Sequence, residues 1–322
     1  MSGRSDSLDA VRGTAIALVV GYHYWPRLEH ASDIGVDLFF VLSGYLIGGI
    51  LLDNRQSPGS LSTFYYRRAF RILPLYWLLL ATASISAVRP DWWFLAFGQN
   101  FEWIASNSFP VGDPLSVTWS LAIEEQFYLL LPALVWFLSS RWLVRALWTF
   151  VILAPVSRWA AFHFSASAVF LLLPCRLDTL MGGTLIACFV RGNARSPGRW
   201  LLLALVAPGL DAGLHLIDRF HNAPLMSPNA LLFSVLLLAV ARLPEFRIVL
   251  LRPFCWLGTG AYAIYLFHLP ILALCGDNKA GAILVTGVAA LVSWRCIERP
   301  LIGFARSRWA YRLPRAELPQ LI

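Results

Sequence analysis

The stretch Leu8–Trp25, LDAVRGTAIALVVGYHYW, decides the fold. It is apolar enough for a membrane helix, yet Asp9 and Arg12 stand near its start and His23 near its end. Ionisable groups at membrane depth are costly and face the protein interior or a wet cavity, so each marks a candidate functional position. On a helix Arg12 and His23 lie close to three full turns apart, and Asp9 precedes Arg12 by three residues. All three therefore share one face, with a rise of roughly 17 Å between Arg12 and His23. Arg4 precedes the stretch as it would a signal peptide, but no A-x-A site follows, so it is read as a retained first helix.

Working outward, apolar runs recur along the chain. A spanning helix needs about 20 mostly apolar residues. Candidate runs are 8–25, 34–52, 72–88, 118–138, 142–157, 168–190, 200–217, 229–243, 254–275 and 280–297. The aromatic stretch 91–117, broken by Asn, Ser and Pro, reads as an interfacial loop. The chain is 58% hydrophobic and only 14% charged, where a soluble domain carries about 25% charged residues. Most of its surface is thus expected to face lipid. The expected fold is an all-α polytopic membrane bundle of about ten transmembrane helices. It forms a single domain over 1–322, with a core at 8–300, a basic tail at 301–322 and no soluble extracytoplasmic domain.

Charge distribution sets the orientation. Of the 26 Lys and Arg, twenty fall on the side of the N-terminus, five on the other side, and Arg176 within a span. Lys and Arg gather on the cytoplasmic side of membrane proteins, so both termini are placed in the cytoplasm, at a bacterial inner membrane. The same asymmetry accounts for the net charge of +8 without a nucleic-acid partner. Cys175, Cys188, Cys255, Cys275 and Cys296 show no metal-ligand or CxxC spacing, and neither a disulfide nor a metal is inferred.

The remaining intramembrane polar groups form two sets by depth. His23, Asp37, Glu124, Glu125, Arg176 and His268 map to the middle or the outer half, and Arg12, Arg68 and Arg71 to the inner edge. His23 reads either as an interfacial residue of the YHYW cluster or as a general base, since imidazole titrates near neutral pH. Arg68 and Arg71, spaced i, i+3, read either as ordinary cytoplasmic arginines or as a guanidinium fork for phosphate. Glu124 and Glu125 are about 100° apart on their helix, so they point to different neighbours. They read as structural partners of Arg176 or as groups that orient or charge a histidine. Asp178 follows Arg176, and Tyr265 and His268 share a face three residues apart. Ser43 in VLSGY lacks the flanking glycine of a nucleophile elbow. Gly44, Gly48 and Gly49 suit close helix packing.

These residues carry a resemblance. LDAVRGTAIALVVGYH, GVDLFFVLSGYLIGGIL, YYRRAFRILPLYW, VTWSLAIEEQFYLLLP, RLDTLMGG, YAIYLFHLPI and IERP, in that order, resemble the membrane-bound acyltransferase family 3, bacterial O-acyltransferases that use acyl-CoA. The resemblance implies a ten-helix domain that moves an acyl group, usually acetyl, to a carbohydrate or related hydroxyl. The family's first-helix histidine falls on His23, its R-x-x-R pair on Arg68 and Arg71, and the glutamate of its W-S-L-x-x-E motif on Glu124. Some members carry an additional extracytoplasmic esterase-like domain, which is not expected here. The region 143–253 outside RLDTLMGG matches poorly, and acceptor specificity is expected there.

The expected chemistry is O-acylation. Acyl-CoA serves as co-substrate, with no permanently bound cofactor and no metal. Arg68, Arg71 and Arg12 would hold the donor. His23 would act as base, with Glu124 or Glu125 stabilising its imidazolium. Asp37, Arg176, Asp178, Tyr265 and His268 would line the carbohydrate side. A transporter or flippase of a polar lipid or sugar, and a non-catalytic partner in polysaccharide assembly, are the rival readings. The sequence leaves the oligomeric state open.

Overall fold

A computed structural model of the chain describes residues 6–25, 31–85, 90–110, 112–192 and 251–311. Among these residues every regular element is helical. The order is α1 (Asp6–Tyr24), α2 (Ala31–Asp53), α3 (Ser60–Ile85), α4 (Trp92–Leu95), α5 (Gln99–Ala105), α6 (Thr118–Phe137), α7 (Ser140–Phe162) and α8 (Ala168–Leu171). A 3-10 turn (Leu173–Arg176) leads into α9 (Leu177–Val190). Then come α10 (Arg252–Thr259), α11 (Ala261–Cys275), α12 (Lys279–Ser293) and, after a π-helical turn, α13 (Arg299–Arg308).

Among the described residues five helices are long and apolar enough to cross a membrane: Ile34–Asp53, Thr118–Phe137, Ser140–Phe162, Leu173–Val190 and Lys279–Arg308. The pair α10–α11 makes a sixth if its two halves count as one broken span, bent by 75°. The chain is thus a multi-pass membrane protein. α1 and α3 do not qualify on apolarity because they carry Asp6, Asp9 and Arg12, and Arg67, Arg68 and Arg71. Both are nonetheless helices built into the bundle: α1 packs between α2 and α10, and α3 packs against α11 and α13.

Three segments depart from the sequence expectation. The run 168–190 is not one helix. Pro174 sits at the start of the 3-10 turn, and α9 begins after Arg176. The run 254–275 breaks at Gly260, the residue between α10 and α11. The stretch 91–117 is more than a loop: Asp91 caps α4 by accepting from Trp93 N (2.9 Å), and α5 buries Gln99 and Asn100 completely. The runs 200–217 and 229–243 lie outside the described residues.

Two reciprocal glycine contacts hold the central helices at backbone distance. A methyl on Gly44 of α2 would stand 1.9 Å from the Leu180 carbonyl oxygen of α9, and one on Gly183 would stand 2.0 Å from that of Val41. The same exchange ties α1 to α10. Gly13 faces Phe254 O at 1.8 Å, and Gly258 faces Asp9 O at 1.9 Å by the same measure. Helices in lipid gain no hydrophobic drive from one another, so such close approach is what packs them. Thr184 reinforces the first contact by donating to Gly44 O (3.1 Å).

Candidate active site

The last turn of α1 presents His23, and α11 presents His268 to it. His268 is fully buried, and its Nδ1 lies 2.8 Å from Tyr265 O and 3.1 Å from Ile264 O. A carbonyl only accepts, so His268 Nδ1 carries the proton and its Nε2 is left as an acceptor. That Nε2 lies 3.1 Å from His23 Nδ1, which also lies 2.9 Å from Val19 O. His23 Nδ1 therefore donates, and the lone pair of the neutral His23 ring sits on Nε2. The two ring centroids lie 4.9 Å apart, tilted by 54°, so His23 points into the bundle, not into lipid, while keeping part of its surface accessible.

One turn before His268, Tyr265 reaches α6. Its hydroxyl donates to Val117 O (3.0 Å) and accepts from Ser120 Oγ (2.6 Å). Ser120, Glu124 and Tyr128 form one stripe of α6 at four-residue spacing, about 12 Å long. At its far end Tyr128 donates to Glu124 Oε2 (3.0 Å) and accepts from Ser43 Oγ (3.1 Å). The Arg68 guanidinium lies 5.6 Å from the Tyr128 ring centroid. Arg68 and Arg71 are both within electrostatic reach of Glu124, and Arg12 within reach of Arg71. Arg12 itself pairs with Asp9. A seam of polar side chains thus runs along α6 from the histidine pair to the arginine cluster. His23, Glu124, Glu125, Arg68 and Arg71 stay partly accessible along it, while Ile123, Phe127, Ile72 and Leu75 beside them are buried.

The partners of the glutamates differ from the sequence expectation. The pairing of Glu124 with Arg176 does not form, because Arg176 meets Asp37 (3.1 Å), both about 1% exposed. Glu124 bonds Tyr128 at the arginine end, and the ring beside His23 is that of His268, not a carboxylate. Glu125 points round the helix from Glu124, within electrostatic reach of Arg68. Asp178 bonds Arg158 (3.0 Å), which also donates to Cys175 O (2.8 Å). Arg158, one of the five basic residues that the charge pattern assigns to the outer side, is only 3% exposed. Gln99 and Asn100 were also missed. Their signal was a pair of amides in an aromatic stretch, and only burial separates such a pair from a solvated one.

The Arg176 guanidinium lies against the rings of Trp119 (5.2 Å) and Phe170 (5.3 Å), and its Nε donates to Phe170 O (3.3 Å). Its Nη2 has no hydrogen-bond partner, nor do Gln99 Oε1 and Asn100 Oδ1. A buried polar atom left unsatisfied costs about 1–3 kcal/mol, so three in one neighbourhood call for an explanation. No cluster of three His, Cys, Asp or Glu suited to a metal occurs among the described residues.

Relatives of the chain are known. It is 30% identical to the peptidoglycan O-acetyltransferase OatA of Listeria monocytogenes, over 92% of this chain and 55% of that protein. It is 27% identical to the O-acetyltransferase OatA of Staphylococcus aureus, over 91% and 56%. With the putative peptidoglycan O-acetyltransferase YrhL of Bacillus subtilis the identity is 28%, over 91% and 54%. The chain therefore spans about half the length of the curated relatives it matches. No solved structure matches. A family model described as an acyltransferase domain matches residues 5–294, a range that holds both histidines, the arginine cluster and the seam between them. The chain belongs to the acyltransferase 3 family and is an acyltransferase.

Proposed function

We propose that this acyltransferase moves an acetyl group from acetyl-CoA to a hydroxyl of a carbohydrate, a cell-wall glycan first among candidates. The glycan assignment leans on the Listeria and Bacillus relatives, a peptidoglycan O-acetyltransferase and a putative one, and the donor assignment on the arginine cluster. The observation that carries the reading is the free lone pair of His23 Nε2, fixed by a chain of bonds that starts at the Tyr265 carbonyl.

The steps follow from that lone pair. CoA phosphates bind Arg68 and Arg71, with Arg12 adding to the field, and the pantetheine arm runs along the Tyr128–Glu124–Ser120 seam. An acceptor hydroxyl approaches from the Asp37, Arg176 and Asp178 side. His23 Nε2 takes its proton as the oxygen attacks the thioester carbon. The imidazolium so formed is held through Nδ1–H by Val19 O and His268 Nε2. The carbon–sulfur bond then breaks, the thiolate takes the proton from His23, and CoA and the acetyl ester leave. Glu124 sets the field between the two ends and holds Tyr128 in place. Around this site we place ten spans in one domain of the inner membrane, with both termini in the cytoplasm.

The test is purified protein with radiolabelled acetyl-CoA and soluble N-acetylhexosamine oligosaccharides. His23→Ala is expected to lose about 10²- to 10⁴-fold in transfer rate, the usual worth of a general base. Arg68→Ala and Arg71→Ala are expected to raise the KM for acetyl-CoA and leave that for the sugar. Transfer by His23→Ala at the wild-type rate rejects the base, and unchanged CoA affinity in both arginine variants rejects the phosphate fork.

A further inference from the structure

We infer that Arg176, Asn100 and Gln99 form a carbohydrate-binding subsite at the start of α6. The inference rests on the transfer reading above for its substrate class, but its geometry is independent of the histidines. Each unpartnered atom is held in place by bonds its own side chain makes elsewhere. Both hydrogens of Asn100 Nδ2 are committed, to Trp119 O and Leu171 O (2.9 Å each), which fixes the amide and turns Oδ1 away from them. Gln99 Nε2 is committed to Thr118 O (3.0 Å) and Thr118 Oγ1 (3.1 Å). The hydroxyl of Tyr76, in reach of Gln99, donates its one proton to Phe94 O (2.8 Å). Arg176 is fixed by Asp37 through Nη1 and by Phe170 O through Nε, which leaves the two protons of Nη2.

The three atoms share walls. Trp119 gives its carbonyl to Asn100 and its ring face to Arg176. The 170–171 turn gives one carbonyl to each of the same two residues. Gln99 adjoins Asn100 and sits on Thr118, beside Trp119. The set therefore offers one double donor and two acceptors on three residues that are each 1% exposed or less.

That pattern selects a ligand class. Asp37 already balances the Arg176 charge, and the two amide oxygens repel anions, so a phosphate or carboxylate is disfavoured. A metal would not approach the guanidinium. A hydroxyl both accepts and donates, and two hydroxyls, or a hydroxyl with an acetamido group, satisfy Nη2, Oδ1 and Oε1 together. Neighbouring groups of that kind are what a sugar ring carries. The atoms are closed to solvent, so a sugar reaches them with a displacement of α5 or of the Ala168–Arg176 turn, the elements that hold them.

The experiment is calorimetric binding of chitotetraose to the full chain in lipid nanodiscs, with acetyl-CoA binding and thermal stability measured beside it. Arg176→Lys keeps the charge for Asp37 and removes the fork. Gln99→Leu removes one acceptor and decides the matter if Arg176→Lys does not fold. The expected result is a tenfold or larger loss of sugar affinity in each folded variant, with acetyl-CoA affinity as in wild type. Equal sugar affinity in wild type and both variants overturns the subsite, as does a wild type that binds no sugar. So does a sugar-bound structure in which ordered water alone meets these atoms. A wild type that binds the sugar through these residues but acetylates nothing leaves the subsite standing and rejects the transfer reading. A wild type that acetylates the sugar while both variants keep its KM does the reverse.

Discussion

His23 carries a protonation pattern that its own helix does not set alone. Val19 O orients its Nδ1–H from within α1, but the second acceptor for that proton is His268 Nε2, on a helix 245 residues further along the chain. His268 is thus a positioning residue. It holds the ring of the base and receives part of the charge that forms on it. Replacing it with Phe is expected to lower kcat roughly tenfold or more, a fraction of the general-base contribution, with the KM for acetyl-CoA unchanged. His268→Gln, whose side-chain oxygen can accept from His23, is expected to recover part of the loss. A Gln variant no better than Phe would reduce His268 to a packing residue, and steady-state kinetics on the two variants reads the difference. Much of this was legible in the sequence: the polar interruptions at His23 and His268 stood out against apolar runs. Their pairing was not, because nothing along a chain says which two helices touch. Arg158 shows the same limit from the other direction. In APVSRWAAF it reads as an edge charge, and only the fold brings Asp178 beneath it.

Among the helices, composition predicted best where an apolar run is also one element. α2, α6 and α7 were read within a few residues of their ends apart from the longer C-terminus of α7, since the apolar signal and the helix stop together. It failed at 168–190 and 254–275, where apolar residues continue through a break. Pro174 and Gly260 were the available signals, and both are common enough inside membrane helices to pass unread. Packing between elements depends on contacts a hydropathy reading does not weigh. The α2–α9 interface has no room for a side chain at Gly44 or Gly183, because the facing atoms are backbone carbonyls that cannot rotate aside. Gly183→Val is expected to lower the thermal midpoint in detergent by an amount equivalent to about 1–3 kcal/mol, the usual cost of overpacking. Gly287→Ala in α12 is the matched control. Nothing lies within 4 Å of the methyl it adds, and alanine is the better helix former, so no loss is expected. Equal midpoints for the two variants would mean that α2 and α9 are free to move apart.

Across the whole bundle, the basic residues and the helix ends report the same polarity. Arg67 of α3 donates to Trp309 O (2.7 Å), whose indole stacks on Tyr66 at 4.6 Å. Arg55 donates to Leu138 O (2.5 Å) at the end of α6, and Arg191 after α9 pairs with Asp53 (2.6 Å) at the end of α2. Cys255 in α10 donates to Asp6 O (3.2 Å) at the start of α1. The starts of α1, α3 and α10 and the ends of α2, α6, α9 and α13 therefore gather at one end of the molecule, together with Arg12, Arg68 and Arg71. His23, at the far end of α1, lies toward the opposite end. Because arginines concentrate on the cytoplasmic side, we place this end in the cytoplasm, where acyl-CoA is made, and the α4–α5 segment outside. In a cysteine-free background, Trp92→Cys is then expected to react with a membrane-impermeant maleimide added to intact cells. Ser307→Cys is expected to react only after the membrane is opened. Trp92 is 61% exposed and Ser307 lies on the exposed face of α13, so access to the reagent is limited by the bilayer and not by burial. Labelling in the opposite order would put the arginine cluster outside, away from any cytosolic thioester, and would end the acyl-CoA proposal while leaving the histidine pair and the fold as they stand.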